Sequence, residues 1–361
     1  MQILHVVGAR PNFMKAAPVL RALAAHPGIR QTLVHTGQHY DAAMSDVFFQ
    51  QLEMPEPDGN LEVGSGTHAE QTARIMIAIE PVLLERKPDL VLVYGDVNST
   101  VAAALVCSKL GIRVGHVEAG LRSRDRTMPE EINRLLTDQL SDLLFTPSRD
   151  GDENLLREGV DASKIHRVGN VMIDTLVRLL PHAEAQFPPD IPSPYALVTL
   201  HRPSNVDDLP WLQEMLSTLA DLSERLHLIF PVHPRTRQRL DGLGLTLAVN
   251  SKLRLLQPLP YLEFLALQQR ATMVITDSGG IQEETTFLGI PCLTIRENTE
   301  RPVTVTNGTN QLVGRDLQKL RKAADQILQR DPQTRSPRSV PLWDGHAAER
   351  IARVIVRGSL A

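Results

Sequence analysis

The sequence predicts an α/β protein built from two Rossmann-like, doubly wound domains facing a cleft. Three observations carry this. Short β-rich apolar runs alternate with longer helical patterns along nearly all of the 361 residues. The apolar runs lack strict alternation of apolar and polar residues, as strands buried on both faces do. The alternation restarts halfway, after a proline-rich stretch, and a chain of this length exceeds one ordinary core.

Taken in order, the first half offers strands at Ile3–Val7, Thr32–His35, Leu90–Tyr94, Val114–Val117 and Leu143–Thr146. Helical patterns fall between them, near Phe13–Ala25, Ala42–Leu52, Ala69–Glu85, Thr100–Lys109 and Glu131–Leu140. Strand–helix alternation of this kind predicts a parallel sheet. A strand at Ile165–Val168 closes the half, and a helix at Val171–Leu180 leads into Phe187-Pro188-Pro189-Asp190-Ile191-Pro192-Ser193-Pro194, which reads as a linker or surface loop. Strands then recur at Ala196–Leu200, Leu228–Val232, Leu253–Leu256, Met273–Thr276 and Cys292–Ile295, with helices between, and helices at Leu317–Gln329 and Ala347–Val356 finish the chain.

Composition excludes several classes. A formal net charge of −4 and a low aromatic content argue against nucleic-acid binding. Cys107 and Cys292 read as small buried apolar residues of a cytosolic protein, not as a disulfide. The opening Met1–Val7 runs directly into a strand, so no signal peptide is expected. No apolar run approaches a membrane-spanning length, and a cytoplasmic, soluble protein is the expectation. No histidine has zinc-like ligand spacing, so no metal and no cofactor are expected.

In doubly wound sheets ligands bind beyond the carboxyl ends of the strands, so the residues that follow each strand matter most. After Met273–Thr276 comes Asp277-Ser278-Gly279-Gly280-Ile281-Gln282-Glu283-Glu284, a strand, a glycine turn and a helix start. Free N–H groups and the positive helix end there attract phosphate, and glycine lets the backbone approach the ligand. Ser278, Gly279 and Gly280 are therefore diphosphate candidates, and Glu284 a ribose candidate; the bland alternative is a glycine turn with Ser278 as ordinary N-cap. After the first strand, Gly8-Ala9-Arg10-Pro11-Asn12-Phe13-Met14-Lys15 carries two cations but lacks the three-glycine dinucleotide fingerprint. Arg10 and Lys15 suit a departing phosphate, unless they are ordinary solvated cations. Asp96 and Glu118 follow two further strands and Glu130 opens a helix, three carboxylates expected to converge on one rim for proton transfer. Against this, Asp96 suits a helix cap and Glu130 an ordinary first helical turn, whereas Glu118 lies outside any obvious cap. Arg122 ends the same strand-end run as Glu118 and is a candidate for binding substrate. His201, Arg202 and His233 follow strands of the second half and suit a diphosphate, unless a histidine there is merely packed and hydrogen-bonded.

These residues together resemble a family, the non-hydrolysing UDP-N-acetylglucosamine 2-epimerases. The resemblance covers essentially the whole chain. It rests on Gly8–Pro11, Gly95-Asp96, His116–Arg122, Pro129-Glu130-Glu131-Ile132-Asn133-Arg134, Gly169-Asn170, His201-Arg202, Asp277–Glu284 and Thr299-Glu300-Arg301-Pro302, in order and spacing. It implies the glycosyltransferase type B fold, with domains 1–168 and 169–345 and a C-terminal helix at 346–361 returning to the first. It also implies a homodimer, a UDP-sugar substrate and reversible conversion of UDP-N-acetylglucosamine to UDP-N-acetylmannosamine. Position by position, Arg10, Lys15, Asp96, Glu118, Glu130 and His201 match residues implicated in catalysis, Ser278 and Gly279 diphosphate contacts, and Glu284 the ribose contact. Ala9 and Asn12 depart from the Thr and Glu of many members. Tyr40–Asp46, after Gln38-His39, departs from the segment of members with an allosteric substrate site, so the resemblance does not extend to activation by substrate.

Overall fold

The computed structural model describes residues 1–38, 49, 51–242, 252–330 and 340–358. The expected helix Ala42–Leu52, for the most part, and the whole of Tyr40–Asp46 lie outside the described residues. The chain divides into two compact units, Met1–Thr175 with Pro341–Ala361, and Leu176–Val340.

The first unit holds seven strands: β1 (Gln2–Val7), β2 (Arg30–His35), β3 (Gly59–Asn60), β4 (Leu90–Tyr94), β5 (Val114–Val117), β6 (Leu143–Thr146) and β7 (Ile165–Arg167). They form one parallel sheet in the order β3-β2-β1-β4-β5-β6-β7. The second unit holds β8 (Tyr195–Thr199), β9 (His227–Pro231), β10 (Leu253–Leu256), β11 (Met273–Thr276), β12 (Cys292–Thr294) and β13 (Asn310–Leu312). They too are parallel, in the order β10-β9-β8-β11-β12-β13. Each unit is thus a doubly wound α/β sheet, with the strand order reversing between β1 and β4 in one and between β8 and β11 in the other. Such a reversal opens a crevice outside the carboxyl ends of the two strands.

Burial explains the apolar runs. In the second sheet Ala196, Val198, Phe230, Met273 and Ile275 enter one core. Their neighbours Tyr195, Leu197, Ile229 and Val274 enter another on the opposite face. Successive side chains point to opposite faces of a strand, so a sheet covered by helices on both sides needs apolar residues at every position. The two strands absent from the sequence reading, β3 and β13, are edge strands of two and three residues with polar members. No apolar run marks them.

The chain end belongs to the first unit. The helix Ala347–Gly358 packs against the helix Arg10–Ala24. Its first turn is capped by Asp174, whose two carboxylate oxygens accept from the N–H groups of Ala347 (3.0 Å) and Ala348 (2.7 Å). Arg350 Nη1 donates to the carbonyls of Val168 (3.0 Å) and Leu342 (3.2 Å), and Trp343 Nε1 donates to that of Pro147 (2.9 Å).

Candidate functional site

In the first unit the chemistry collects at the carboxyl ends of β1, β4 and β5. The turn after β1 is tied to β4 by Asn12. Its Oδ1 accepts from the N–H groups of Gly8 (3.0 Å) and Ala9 (3.1 Å), and its Nδ2 donates to the Tyr94 carbonyl (2.7 Å). Asn12 opens the helix that carries Lys15, so this bracing sets where Lys15 emerges. Lys15 is buried, and its Nζ donates to Glu118 Oε2. Glu118 itself sits at φ +75°. A non-glycine residue in the left-handed region costs on the order of 1–3 kcal/mol and persists only where surrounding structure imposes it, most often at functional sites. Gly95, at φ +62°, lies against this pair: a Cβ there would stand 2.6 Å from Lys15 Nζ and 3.2 Å from Glu118 Oε2. Asp96, the next residue, forms an ion pair with Arg134 Nη1 and leaves about a quarter of its side chain exposed.

Behind this rim lies a buried ionic network. The Asp138 carboxylate meets His116 Nδ1 (2.6 Å) and Arg122 Nη1 (2.7 Å) and accepts from the Gly120 N–H (3.1 Å). Burial works to raise its pKa, but His116 and Arg122 outweigh burial and hold the carboxyl below its ordinary range. Arg122 also grips Glu158 through Nε (2.9 Å) and Nη2 (2.6 Å) and donates to its neighbour's carbonyl at Leu121. Arg122, expected to bind substrate, is thus part of this network. The residue is buried, and its guanidinium is engaged by Asp138, Glu158 and the backbone.

In the second unit the centre is Asp277, fully buried at the end of β11. Its carboxylate accepts from the N–H groups of His201 (3.1 Å) and Arg202 (2.9 Å), from Asn205 Nδ2 (3.1 Å), and lies 2.8 Å from His201 Nδ1. Burial opposes ionisation, yet His201 and the other donors together lower the Asp277 pKa. One carboxylate therefore locks the residues after β8 to the end of β11. Arg202 Nε returns to the Asp277 carbonyl (3.1 Å), and the His201 and His233 rings stand 5.7 Å apart.

The helix Gly279–Leu288 starts beside this lock. Its N-cap, Ser278, makes no side-chain capping bond, and Ser278, Gly279 and Gly280 are half-buried. The first N–H groups thus lack the side-chain partner that an ordinary N-cap supplies, which leaves an anion seat. A Cβ on Gly279 would meet Arg301 Nη1 at 2.6 Å and Glu300 Oε1 at 2.7 Å, so any side chain there would displace this buried pair. The buried face of this helix is polar. Gln282, Glu283 and Glu284 are buried, whereas Ile281, Phe287 and Leu288 are only half-buried. Gln282 Oε1 accepts from Thr299 (2.7 Å) and Asn310 (2.9 Å), Glu283 pairs with Arg301 (2.8 Å), and Glu284 Oε1 accepts from the Tyr261 hydroxyl (2.9 Å).

The expected residues separate as follows. Lys15, Glu118 and Asp96 meet at one turn of the first unit. Glu130 is half-buried in the first turn of the helix Pro129–Leu140 and forms no ion pair among the described residues. Arg10 is exposed at the start of its helix. His201, Arg202, Ser278, Gly279, Gly280 and Glu284 lie at the ends of β8 and β11 and along the helix that follows, and His233 after β9. Sequence reasoning did not single out Asn12, Arg134, Asp138, Tyr261 or Asp277 as functional. Four sit in helices and Asp277 just past a strand end, and only the long-range partner of each reveals its role. Among the described residues no group of three His, Cys, Asp or Glu side chains could hold a metal ion, and no helix is long and apolar enough to cross a membrane.

Comparison with known proteins agrees along the whole chain. The family profile described as UDP-N-acetylglucosamine 2-epimerase matches residues 21–356. The UDP-N-acetylglucosamine 2-epimerase of Methanocaldococcus jannaschii is 44% identical, over 99% of this chain and 100% of its own. The UDP-2,3-diacetamido-2,3-dideoxy-D-glucuronate 2-epimerase of Pseudomonas aeruginosa is 43% identical, over 99% of this chain and 100% of its own. The crystal structure of the M. jannaschii enzyme in complex with UDP-GlcNAc and UDP superimposes with a TM-score of 0.91 at 44% identity, covering 99% of this chain and 100% of that one. By sequence profile, by relatives and by fold, this chain belongs to the UDP-N-acetylglucosamine 2-epimerase family.

Proposed function

We propose that the chain interconverts UDP-N-acetylglucosamine and UDP-N-acetylmannosamine by eliminating UDP and adding it back. The C2 proton of the sugar is not acidic, so direct removal is prohibitively slow. When the C1–O bond to UDP breaks, its electron pair leaves with UDP and C1 gains oxocarbenium character. The C2 proton then passes to a carboxylate and a C1=C2 double bond forms, giving 2-acetamidoglucal. Protonation of C2 on the other face with return of UDP to C1 gives the epimer. The reaction thus needs carboxylates that exchange a proton, and preorganised positive charge for the departing diphosphate. Asp96, Glu118 and Glu130 take the proton chemistry in this reading. Lys15, Arg10, His201 and the amides of Ser278 and Gly279 balance the diphosphate, with Arg202, His233 and Gly280 beside them and Glu284 at the ribose.

The observation that carries the reading is Glu118, buried at φ +75° against Lys15 and beside the Gly95-Asp96 turn. Nucleotide binding alone asks for no buried acid at this strand end, whereas proton exchange at C2 does. The P. aeruginosa relative, at nearly equal identity, favours a second reading in which the sugar is UDP-2,3-diacetamido-2,3-dideoxyglucuronate. Proton NMR of the protein with each UDP-sugar in D₂O decides between them. The expected result is UDP-N-acetylmannosamine carrying deuterium at C2. Unlabelled product, or transfer of the sugar to an acceptor, refutes elimination. The family resemblance supports a cytoplasmic homodimer as the working form, which light scattering of the purified protein tests.

A further inference from the structure

We propose that Arg134 is the positioning residue for Asp96, and that the helix Pro129–Leu140 serves as the clamp that aims this carboxylate. The proposal rests on the epimerase reading and adds to it a residue outside the expected catalytic set.

Arg134 leads the fully buried side chains in size. Removing a guanidinium from water is unfavourable unless its donors are satisfied by charge. Glu131 supplies that charge on one side, its Oε2 accepting from Arg134 Nε (3.1 Å) and Nη2 (2.8 Å). Glu131 is itself held, through the N–H groups of Ser123 (2.9 Å) and Arg124 (2.8 Å) and the Ser123 hydroxyl (3.0 Å). The guanidinium plane is therefore set from behind, and Nη1 is directed at Asp96 Oδ2. The same helix fixes the backbone of the turn twice more. Asn133 Nδ2 donates to the Asp96 carbonyl (2.9 Å). Asp138, one turn on, holds His116, whose Nε2–H donates to the Gly95 carbonyl (2.8 Å). Carboxylate and carbonyl are thus held from one turn of this helix, by Arg134 and Asn133, and the preceding carbonyl through Asp138 on the next. A carboxylate that exchanges a proton with carbon must be aimed before substrate arrives, and a planar fork fixed on one edge does this where a flexible ammonium would not.

The charged groups around the turn are Arg134 with Glu131 behind it, and Lys15 with Glu118 beside Gly95; Glu130 opens the helix. The test compares Arg134→Lys, which keeps charge and loses the fork, with Arg134→Met, and reads kcat and KM of C2 epimerisation and the melting temperature. Expected are a kcat lowered about 10–100-fold in Arg134→Lys with KM within about threefold, and a further loss of kcat, again at near-constant KM, in Arg134→Met. A merely structural arginine would lower the melting temperature of Arg134→Met and leave kcat of folded Arg134→Lys unchanged. Should Arg134→Met fail to fold, Glu131→Gln frees the fork while keeping the pair with Asp96, and is expected to lower kcat at unchanged KM. Wild-type kcat in Arg134→Lys and Glu131→Gln would overturn the proposal while leaving the epimerase reading intact. A wild-type protein that incorporates no deuterium at C2 would overturn both.

Discussion

Replacing Gly95 by alanine should disable the chemistry while sparing the fold. Gly95 sits at φ +62°, where alanine costs about 1 kcal/mol of backbone strain. The new methyl carbon would stand 2.6 Å from Lys15 Nζ and 3.2 Å from Glu118 Oε2. Comfortable contact begins at about 3.5 Å, so Lys15 must retreat by roughly 1 Å. A lysine side chain yields at small cost in stability, but a 1 Å displacement of a reacting group lowers rate by about 100-fold. Gly111 supplies the control: it has φ +70° and nothing within 4 Å of its virtual Cβ, so Gly111→Ala carries the strain without the collision. Both variants should lose about 1 kcal/mol in denaturant unfolding. Only Gly95→Ala should lose turnover, by about two orders of magnitude in an NMR assay of C2 epimerisation. Turnover of Gly95→Ala within about threefold of wild type would refute the argument, as would equal loss in Gly111→Ala.

Glu118→Gln leaves the Lys15 charge buried without its partner, so stability should fall by about 3 kcal/mol and turnover by about 10²–10⁴-fold, with UDP still titrating normally; near-normal turnover would remove Glu118 from the chemistry. Gly279→Ala pushes a methyl into Arg301 and Glu300, 2.6 and 2.7 Å away. UDP affinity should drop about tenfold or more as the helix start shifts, and an unchanged Kd would count against the anion seat. Burial pushes the Asp174 carboxyl up to about 6, against the Ala348 and Ala347 N–H groups that it accepts. A raised folded-state value means a contribution complete below the unfolded value near 4 and lost as pH rises through about 6, close to 3 kcal/mol in all. Asp174→Asn cannot ionise, so its stability relative to wild type should improve by about 2 kcal/mol between pH 4.5 and 8; a difference flat with pH would contradict this.

Much of this molecule was legible in the sequence. The limits of β4, β5, β6, β10 and β11 coincide with the expected runs, because a strand covered on both faces must be apolar throughout and polar residues mark its ends. That same rule located Asp96, Glu118 and His201: the first polar residues after a buried strand lie at the carboxyl edge of the sheet whatever the rest of the chain does. What the rule could not supply is which partner each would find. Lys15 and Arg122 look alike as cations near strand ends. One is buried against Glu118, 103 positions away, and the other is bound to Asp138 and Glu158. The helix after β11 looks amphipathic through Ile281, Phe287 and Leu288, yet it buries Gln282, Glu283 and Glu284 because Thr299, Arg301 and Tyr261 arrive from elsewhere to satisfy them. Local pattern determined where the backbone would turn and which residues would stand at the turns. The pairing of charges was decided only by the tertiary structure, since the energy of a buried ion depends on a counter-ion that sequence spacing does not reveal.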